Sequence, residues 1–173
     1  DIVTARKEVY PFPGSLPEVS ASSLEDDLAR RDFSINAMAL PLSGDSPEVI
    51  DPHGGLEGLA YRRVATLHPG SFTDDPCRML RAVRYEQRLG FRLEPETERL
   101  LRRDLPMLDT ISGDRLRREL DLIFREERAG PTLLRAAELG VLAALYTHLP
   151  DAPALKHRLE RISSSDGMTQ PLH

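Results

Sequence analysis

Apolar residues recur at helical spacing through most of the chain after residue 72, and at alternate positions only in short stretches before it. The pattern predicts strands at residues 1–10, 33–40, 48–50 and 62–67. Between them, residues 11–19 carry three prolines and a glycine and read as an extended connection, and residues 43–47 read as a turn. Ser22 or Ser23, followed by Glu25 and Asp26, opens a short helix that runs to Arg30. Asp51-Pro52-His53-Gly54-Gly55 is a tight turn whose glycines allow positive φ, and one helical turn follows at residues 56–60. The second half predicts helices at residues 73–90, 95–104, 112–125, 131–139 and 152–162, with a frayed end at 163–173. The expected class is α+β, with a strand-bearing part at residues 1–72 and a helical part at 73–173.

The helix expected at residues 73–90 organises the rest. Thr73 or Asp74 serves as N-cap, Asp75 suits the positive helix start, Pro76 fits the first turn and Gly90 supplies the stop. At about 100° per residue, Met79, Leu80, Ala82, Val83 and Leu89 gather on one side. Arg78, Arg81, Arg84 and Arg88 gather on the other, as a row of guanidiniums on the surface. Asp75 and Arg78 stand three residues apart, so they are neighbours on a helix and pair with each other when nothing is bound. An acceptor beside a donor also matches the amino-donor and ring-nitrogen-acceptor edge of adenine or cytosine. Spacing alone leaves a solvated ion pair and a base-reading pair both open.

Charge sharpens this picture. The 173 residues hold 23 basic and 28 acidic side chains, a net charge of −5, which argues against indiscriminate coating of nucleic acid. All but two of the basic residues, Lys7 and Lys156, are arginine. From Asp75 to Arg103 eight arginines face five acids, so the sign reverses locally. The single cysteine, Cys77, excludes an internal disulfide, fits a reducing cytoplasm and reads as a buried structural thiol. The five histidines show no short spacing suited to zinc, and no apolar run reaches the length of a membrane span. The expectation is a soluble cytoplasmic protein; its opening at Asp1, without an initiator methionine, suggests a piece of a longer chain.

Two more clusters carry chemistry. Arg30-Arg31-Asp32 offers guanidiniums for phosphates and a carboxylate for ribose hydroxyls. Arg115 and Glu119 have the i,i+4 spacing of a helix-stabilising pair. In order along the chain stand Glu25-Asp26-Asp27, then Arg-Arg-Asp-Phe-Ser-Ile-Asn-Ala-Met-Ala, then Asp-Pro-His-Gly-Gly. After them come Asp-Asp-Pro-Cys-Arg-Met-Leu-Arg-Ala-Val-Arg-Tyr, Arg-Leu-Gly-Phe and Ile-Ser-Gly-Asp-Arg-Leu-Arg-Arg-Glu-Leu. This ordered series, from Asp1 to about Pro150, resembles the bacterial tRNA nucleotidyltransferase and poly(A) polymerase family.

The resemblance implies an enzyme that adds CMP and AMP to an RNA 3′ end, the tRNA 3′ end above all, without a nucleic-acid template. By motif, Asp75 and Arg78 would pair with the base of ATP or CTP, with Arg81 and Arg84 supporting the same pocket. Arg31 and Asp32 would contact sugar and phosphates, while Asn36, Arg115 and Glu119 would brace the pocket. Mg2+ is expected in the complete enzyme, on an Asp-x-Asp pair that this sequence does not contain; Asp1 is a candidate third carboxylate. The chain also departs from the family pattern at Asp74, Cys77 and Gly58. Taken alone it is expected to bind nucleotide weakly and to catalyse nothing. A poly(A) polymerase and a non-catalytic RNA-binding relative are the alternatives.

Overall fold

The computed structural model describes residues 2–43, 48–146 and 152–166. Strand β1 (Arg6–Val9) pairs antiparallel with β2 (Glu18–Ala21), placing Arg6 opposite Ala21 and Val9 opposite Glu18. The second strand was not expected; the prolines that suggested a connection are confined to residues 11–17, and pairing resumes once they end. Ser23 caps α1 (Leu24–Ala29), its hydroxyl accepting from the Asp26 N–H at 3.2 Å. The strand predicted over residues 33–40 is instead a 3₁₀ turn, Ser34–Asn36, flanked by single bridges from Phe33 to Thr66 and from Ala39 to Ile50. Asp32 explains the difference: its Oδ1 accepts from the Phe33 N–H at 3.0 Å and the Asn36 side-chain amide at 2.9 Å, offering this backbone a local alternative to a ladder. Alternation still reports burial, since Phe33, Ile35 and Ala37 are all in the core.

Helix α2 (Gly55–Ala60) follows Asp51, whose carboxylate accepts from the N–H groups of Gly55 and Leu56. Of the two glycines at its start only the cap Gly54 has positive φ; Gly55, the first helical residue, is required for a different reason, because a Cβ there would collide with the Ser34 carbonyl. β3 (Arg63–Val64) runs parallel to β4 (Arg92–Leu93), a smaller element than the predicted strand at 62–67. Between them lie α3 (Ser71–Asp74) and α4 (Cys77–Leu89); after them come α5 (Pro95–Asp104), a 3₁₀ segment (Leu105–Thr110), α6 (Gly113–Phe124), α7 (Ala129–Glu138), α8 (Val141–Leu145) and α9 (Ala152–Asp166). The 3₁₀ segment and α8 are additions to the sequence reading. The turn expected at 43–47 lies outside the described residues except for Ser43; of the end expected to fray at 163–173, residues 163–166 continue α9 instead and the rest lies outside them.

The single helix expected at residues 73–90 is broken. Pro76 disfavours the helical region for the residue before it, and Asp75 is extended at φ −134°, ψ 94°. Asp75 therefore ends α3, and α4 begins beyond it, closing at Gly90 with φ 64° in the left-handed region. The face assignment is also corrected. Arg78 and Arg84 are buried rather than lined up in solvent, and Leu89 is largely exposed.

One apolar core crosses residue 72. Phe33 and Val64, from the strand-bearing part, pack with Phe72, Met79, Leu80, Val83, Leu101 and Leu139, all without solvent exposure. Two buried carboxylates tie the surrounding elements to it. Glu86 accepts from the Leu93 N–H at 3.0 Å and from Arg135 Nε at 2.8 Å, while Arg135 also reaches Glu98 at 2.7 Å, so α4, β4, α5 and α7 meet at one acid. Asp27 accepts from Arg30, from Arg31 and from the Arg6 N–H, joining α1 to β1.

Two outcomes are expected. Glu86→Ala leaves the Leu93 N–H without its acceptor and half-buried Arg135 with Glu98 but not Glu86, and should destabilise the chain by about 1–3 kcal/mol in urea titration. At Asp27 burial works to raise the pKa, but the hydrogen bonds from Arg31, Arg30 and Arg6 outweigh it and hold it at about 2 against an ordinary 3.8. Because the folded value is the lower one, this stabilisation is complete above the ordinary value and is lost as the pH falls toward 2. It amounts to about 2 kcal/mol, and Asp27→Asn should flatten the acid limb of stability measured between those limits.

Candidate functional site

A cavity of about 550 Å³ opens where β1, α1 and the 3₁₀ turn face the start of α4. Its walls are almost entirely charged or polar. One wall is Arg30, Arg31 and Asp32, at the end of α1, with Asn36 behind them; the opposite wall is Asp75, Arg78 and Arg81. Arg6, Glu8 and Tyr10 from β1 and its turn close one side, and Tyr85 and Arg115 complete the enclosure.

The wall from α1 is pre-arranged by carboxylates. Arg30 Nη1 donates to Glu8 Oε1 at 2.8 Å and its Nη2 to Asp27 Oδ1 at 2.8 Å; Arg31 Nη2 donates to Asp27 Oδ2 at 2.7 Å. Asp32 spends Oδ1 on Phe33 and Asn36, which leaves Oδ2 without a hydrogen bond among the described residues. The two bonds fix the carboxylate, and Asp32 lines the cavity.

On the other wall, Asp75 and Arg78 do not pair with each other. The break in the helix turns the Asp75 carboxylate aside, where Oδ1 accepts from the Cys77 N–H at 3.0 Å and from Arg115 Nη2 at 2.6 Å. Arg78 is anchored separately, with Nη1 on Ser71 Oγ at 2.8 Å and Nη2 on the Arg30 carbonyl at 2.8 Å. That last bond links the two walls directly. Both residues line the cavity, and Asp75 Oδ2 and Arg78 Nε make no hydrogen bond among the described residues.

Arg115 and Glu119 likewise choose partners other than each other. Arg115 goes to Asp75, and also donates to the Gly14 carbonyl at 3.4 Å; Glu119 Oε1 accepts from Arg81 Nε at 2.7 Å. Burial works against the Arg81 charge, but Glu119 outweighs it and holds the pKa above the usual arginine value. Of the sequence-derived site residues, then, Arg31, Asp32, Asn36, Asp75, Arg78, Arg81 and Arg115 line one cavity, and Glu119 stands behind Arg81. Arg84 does not reach it. It lies over the Tyr85 ring at 4.9 Å and pairs with Glu126 at 3.2 Å, touching the cavity only through Tyr85.

The sequence reading missed Arg6, Glu8, Tyr10 and Tyr85. The first three sit on a strand whose spacing announces no chemistry, though Arg6, Glu8 and Tyr10 do alternate onto one face. Tyr10 donates to Glu8 Oε2 at 3.1 Å, and burial pushes its hydroxyl up to about 12, so it stays a donor at neutral pH. Cys77 is buried as expected, and burial together with the Asp75 charge pushes its thiol up to about 11. Asp1 lies outside the described residues. Among the described residues no three His, Cys, Asp or Glu side chains converge as metal ligands, and no described helix is long and apolar enough to cross a membrane.

Comparison with known proteins fits both parts of the chain. Residues 1–65 match the family model of the poly A polymerase head domain, and residues 90–156 that of a probable RNA and SrmB-binding site of polymerase A. The A-adding tRNA nucleotidyltransferase of Geobacter sulfurreducens is 40% identical over 165 residues, covering 94% of this chain and 19% of that protein. A solved CCA-adding enzyme in an apo form superposes with a TM-score of 0.86 at 38% identity, covering 91% of this chain and 38% of its own. A CCA-adding enzyme in complex with ATP gives 0.76 at 31% identity, with 99% and 46% covered. The chain spans less than half the length of each of these proteins. The motif order, the α+β architecture and both matched segments agree, and the chain belongs to the bacterial tRNA nucleotidyltransferase and poly(A) polymerase family.

Proposed function

We propose that this chain is the nucleotide-selecting region of an enzyme that adds CMP and AMP to the 3′ end of tRNA without a nucleic-acid template. The observation that carries the reading is the arrangement of the cavity, in which an oriented carboxylate and guanidinium, Asp75 and Arg78, face Arg31 and Asp32. Residues 1–72 then act as the last part of the catalytic head and residues 73–173 as the neck that carries the base-reading groups.

Each residue has a role that follows from its fixed geometry. Asp75 Oδ2 accepts from the exocyclic amine of adenine or cytosine, and Arg78 donates to the adjacent ring nitrogen. Guanine and uracil present a carbonyl to the carboxylate and an N–H to the guanidinium, so both contacts turn repulsive. Arg115 keeps Asp75 aimed. Asp32 Oδ2 accepts from a ribose hydroxyl, while Arg31 and Arg81 face the phosphates, with Asn36 and Glu119 fixing Asp32 and Arg81 in turn. Arg84 supports the pocket from behind Tyr85. These groups hold the nucleotide so that an RNA 3′-hydroxyl can attack the α-phosphate in line, which is catalysis by positioning. The divalent cation of such a reaction, Mg2+ in this reading, neutralises phosphate charge when bound; the described residues do not form a site for it, and no step is assigned through it.

Poly(A) polymerase is a second reading, favoured by the identity of the matching head model. Incorporation of CMP as well as AMP by the full-length protein decides for the tRNA enzyme, and AMP alone leaves poly(A) polymerase or an A-adding enzyme.

Equilibrium binding to this chain should rank ATP and CTP above GTP and UTP by about 10- to 100-fold, the worth of one or two charge-assisted hydrogen bonds. Asp75→Asn should remove most of that preference, and Arg115→Ala about tenfold of it, with little change in triphosphate affinity. Absence of any base preference in the parent chain, or a preference that survives Asp75→Asn, would sink the selection role.

A further inference from the structure

A second recess, of about 570 Å³, lies at the β3–β4 edge and shares no residue with the cavity above. Arg62, Arg63 and Arg92 line it, with Tyr61, and no carboxylate does. All four side chains belong to exposed residues, Tyr61 at 64%. Most arginines of α4 and α5 are compensated: Arg81, Arg84, Arg99, Arg102 and Arg103 each sit on a carboxylate within 3.2 Å. In contrast, neither Arg62 nor Arg92 makes a side-chain hydrogen bond or ion pair among the described residues, and Arg63 lies over the Tyr61 ring at 5.4 Å. In a chain of net charge −5, three uncompensated guanidiniums on one edge are a local reversal of sign.

The backbone adds a separate observation. Arg62 is the residue after the α2 C-cap Tyr61, the place where helices most often put glycine, and it has φ 53°. Among the described residues it is the only non-glycine in the left-handed region. Arginine gains nothing from that conformation, and among the described residues its side chain makes no hydrogen bond or ion pair that offsets the strain. Pairing fixes the display: the Arg92 N–H donates to the Arg62 carbonyl at 3.0 Å, and Arg63 stands opposite Arg92 in the parallel register.

We infer that the Tyr61–Arg62–Arg63–Arg92 edge is a second, base-independent RNA contact, in which the three guanidiniums take successive backbone phosphates and Tyr61 offers a stacking face. Of these residues only Arg92 lies in the segment matched to an RNA-binding model. The inference extends the proposed function by placing part of the RNA at the far end of α4 from the nucleotide, and it rests on that reading only for the identity of the RNA.

The test uses this chain and a fluorescent tRNA ending in CC, with anisotropy titrations from about 50 to 200 mM salt. Arg62→Gln/Arg63→Gln/Arg92→Gln should weaken binding by about 10- to 100-fold at the low-salt end and reduce the slope of log K against log salt by about 2–3, one contact per guanidinium. Arg62→Gly separates an RNA role from a structural one: relief of the left-handed strain should leave the melting temperature unchanged or raise it by about 2 °C, while RNA affinity falls. ATP affinity should be the same in all variants, because the two recesses share no residue; if the parent chain binds tRNA but not ATP, the nucleotide reading fails and this one stands. An unchanged salt slope in the triple variant, tRNA affinity retained in Arg62→Gly, a parent chain that does not bind tRNA, or one that binds a polyglutamate peptide in preference to it, would each overturn the inference.

Discussion

The backbone break at Asp75 and Pro76 is the constraint on which the site depends. Pro76 has no N–H to give α3 and pushes Asp75 out of the helical region, so one would-be helix becomes a four-residue turn and a thirteen-residue helix. Had the helix run on, Asp75 would have faced Arg78 along one surface and the two would have neutralised each other. The break moves the carboxylate to Arg115 and releases Arg78 to reach across to the Arg30 carbonyl. Donor and acceptor thus end up beside one another but not in contact.

Buried charge carries much of the organisation around that point. Asp27, Asp75, Glu86 and Glu119 are each less than a tenth exposed, and each contacts at least one guanidinium, although Glu119 Oε2 is buried without a hydrogen bond among the described residues. Every such pair joins elements far apart in sequence, except at Asp27, where the distant partner is the Arg6 N–H. Such a set specifies geometry more than it adds stability, because removing either member leaves a charge in a low-dielectric interior. The apolar core beneath, from Phe33 to Val141, supplies the driving force.

Much of this was legible in the residues. The helices near 95–104 and 112–125 were marked by Pro95 at a helix start and by Ser112, and α5 and α6 fall where those signals place them. Seven of the residues singled out in sequence line one cavity, because motif order carried them together even though spacing did not. What failed was local pairing. Asp75 with Arg78 and Arg115 with Glu119 have helical spacing, yet each finds a partner on another element, and tertiary contacts of that kind leave no periodic trace. The alternation at residues 33–40 reported burial truthfully and strand geometry falsely, since the Asp32 side chain takes the Phe33 N–H and the Asn36 amide and the Asn36 and Ala37 N–H groups turn back to Phe33 and Ser34. The hairpin residues Arg6, Glu8 and Tyr10 were invisible for a simpler reason: an exposed two-stranded edge has the same composition whether or not it walls a cavity.

The carboxylates behind Arg30 and Arg31 have one further consequence. Glu8 and Asp27 already occupy the inner donors of those guanidiniums, so the cavity presents cations whose charge is largely answered before any phosphate arrives. An entering anion exchanges partners with fixed acids instead of meeting bare charge, and the attraction it gains is the small difference between two similar interactions. Under the proposed function, discrimination then falls to the edge of the base and not to the polyanion.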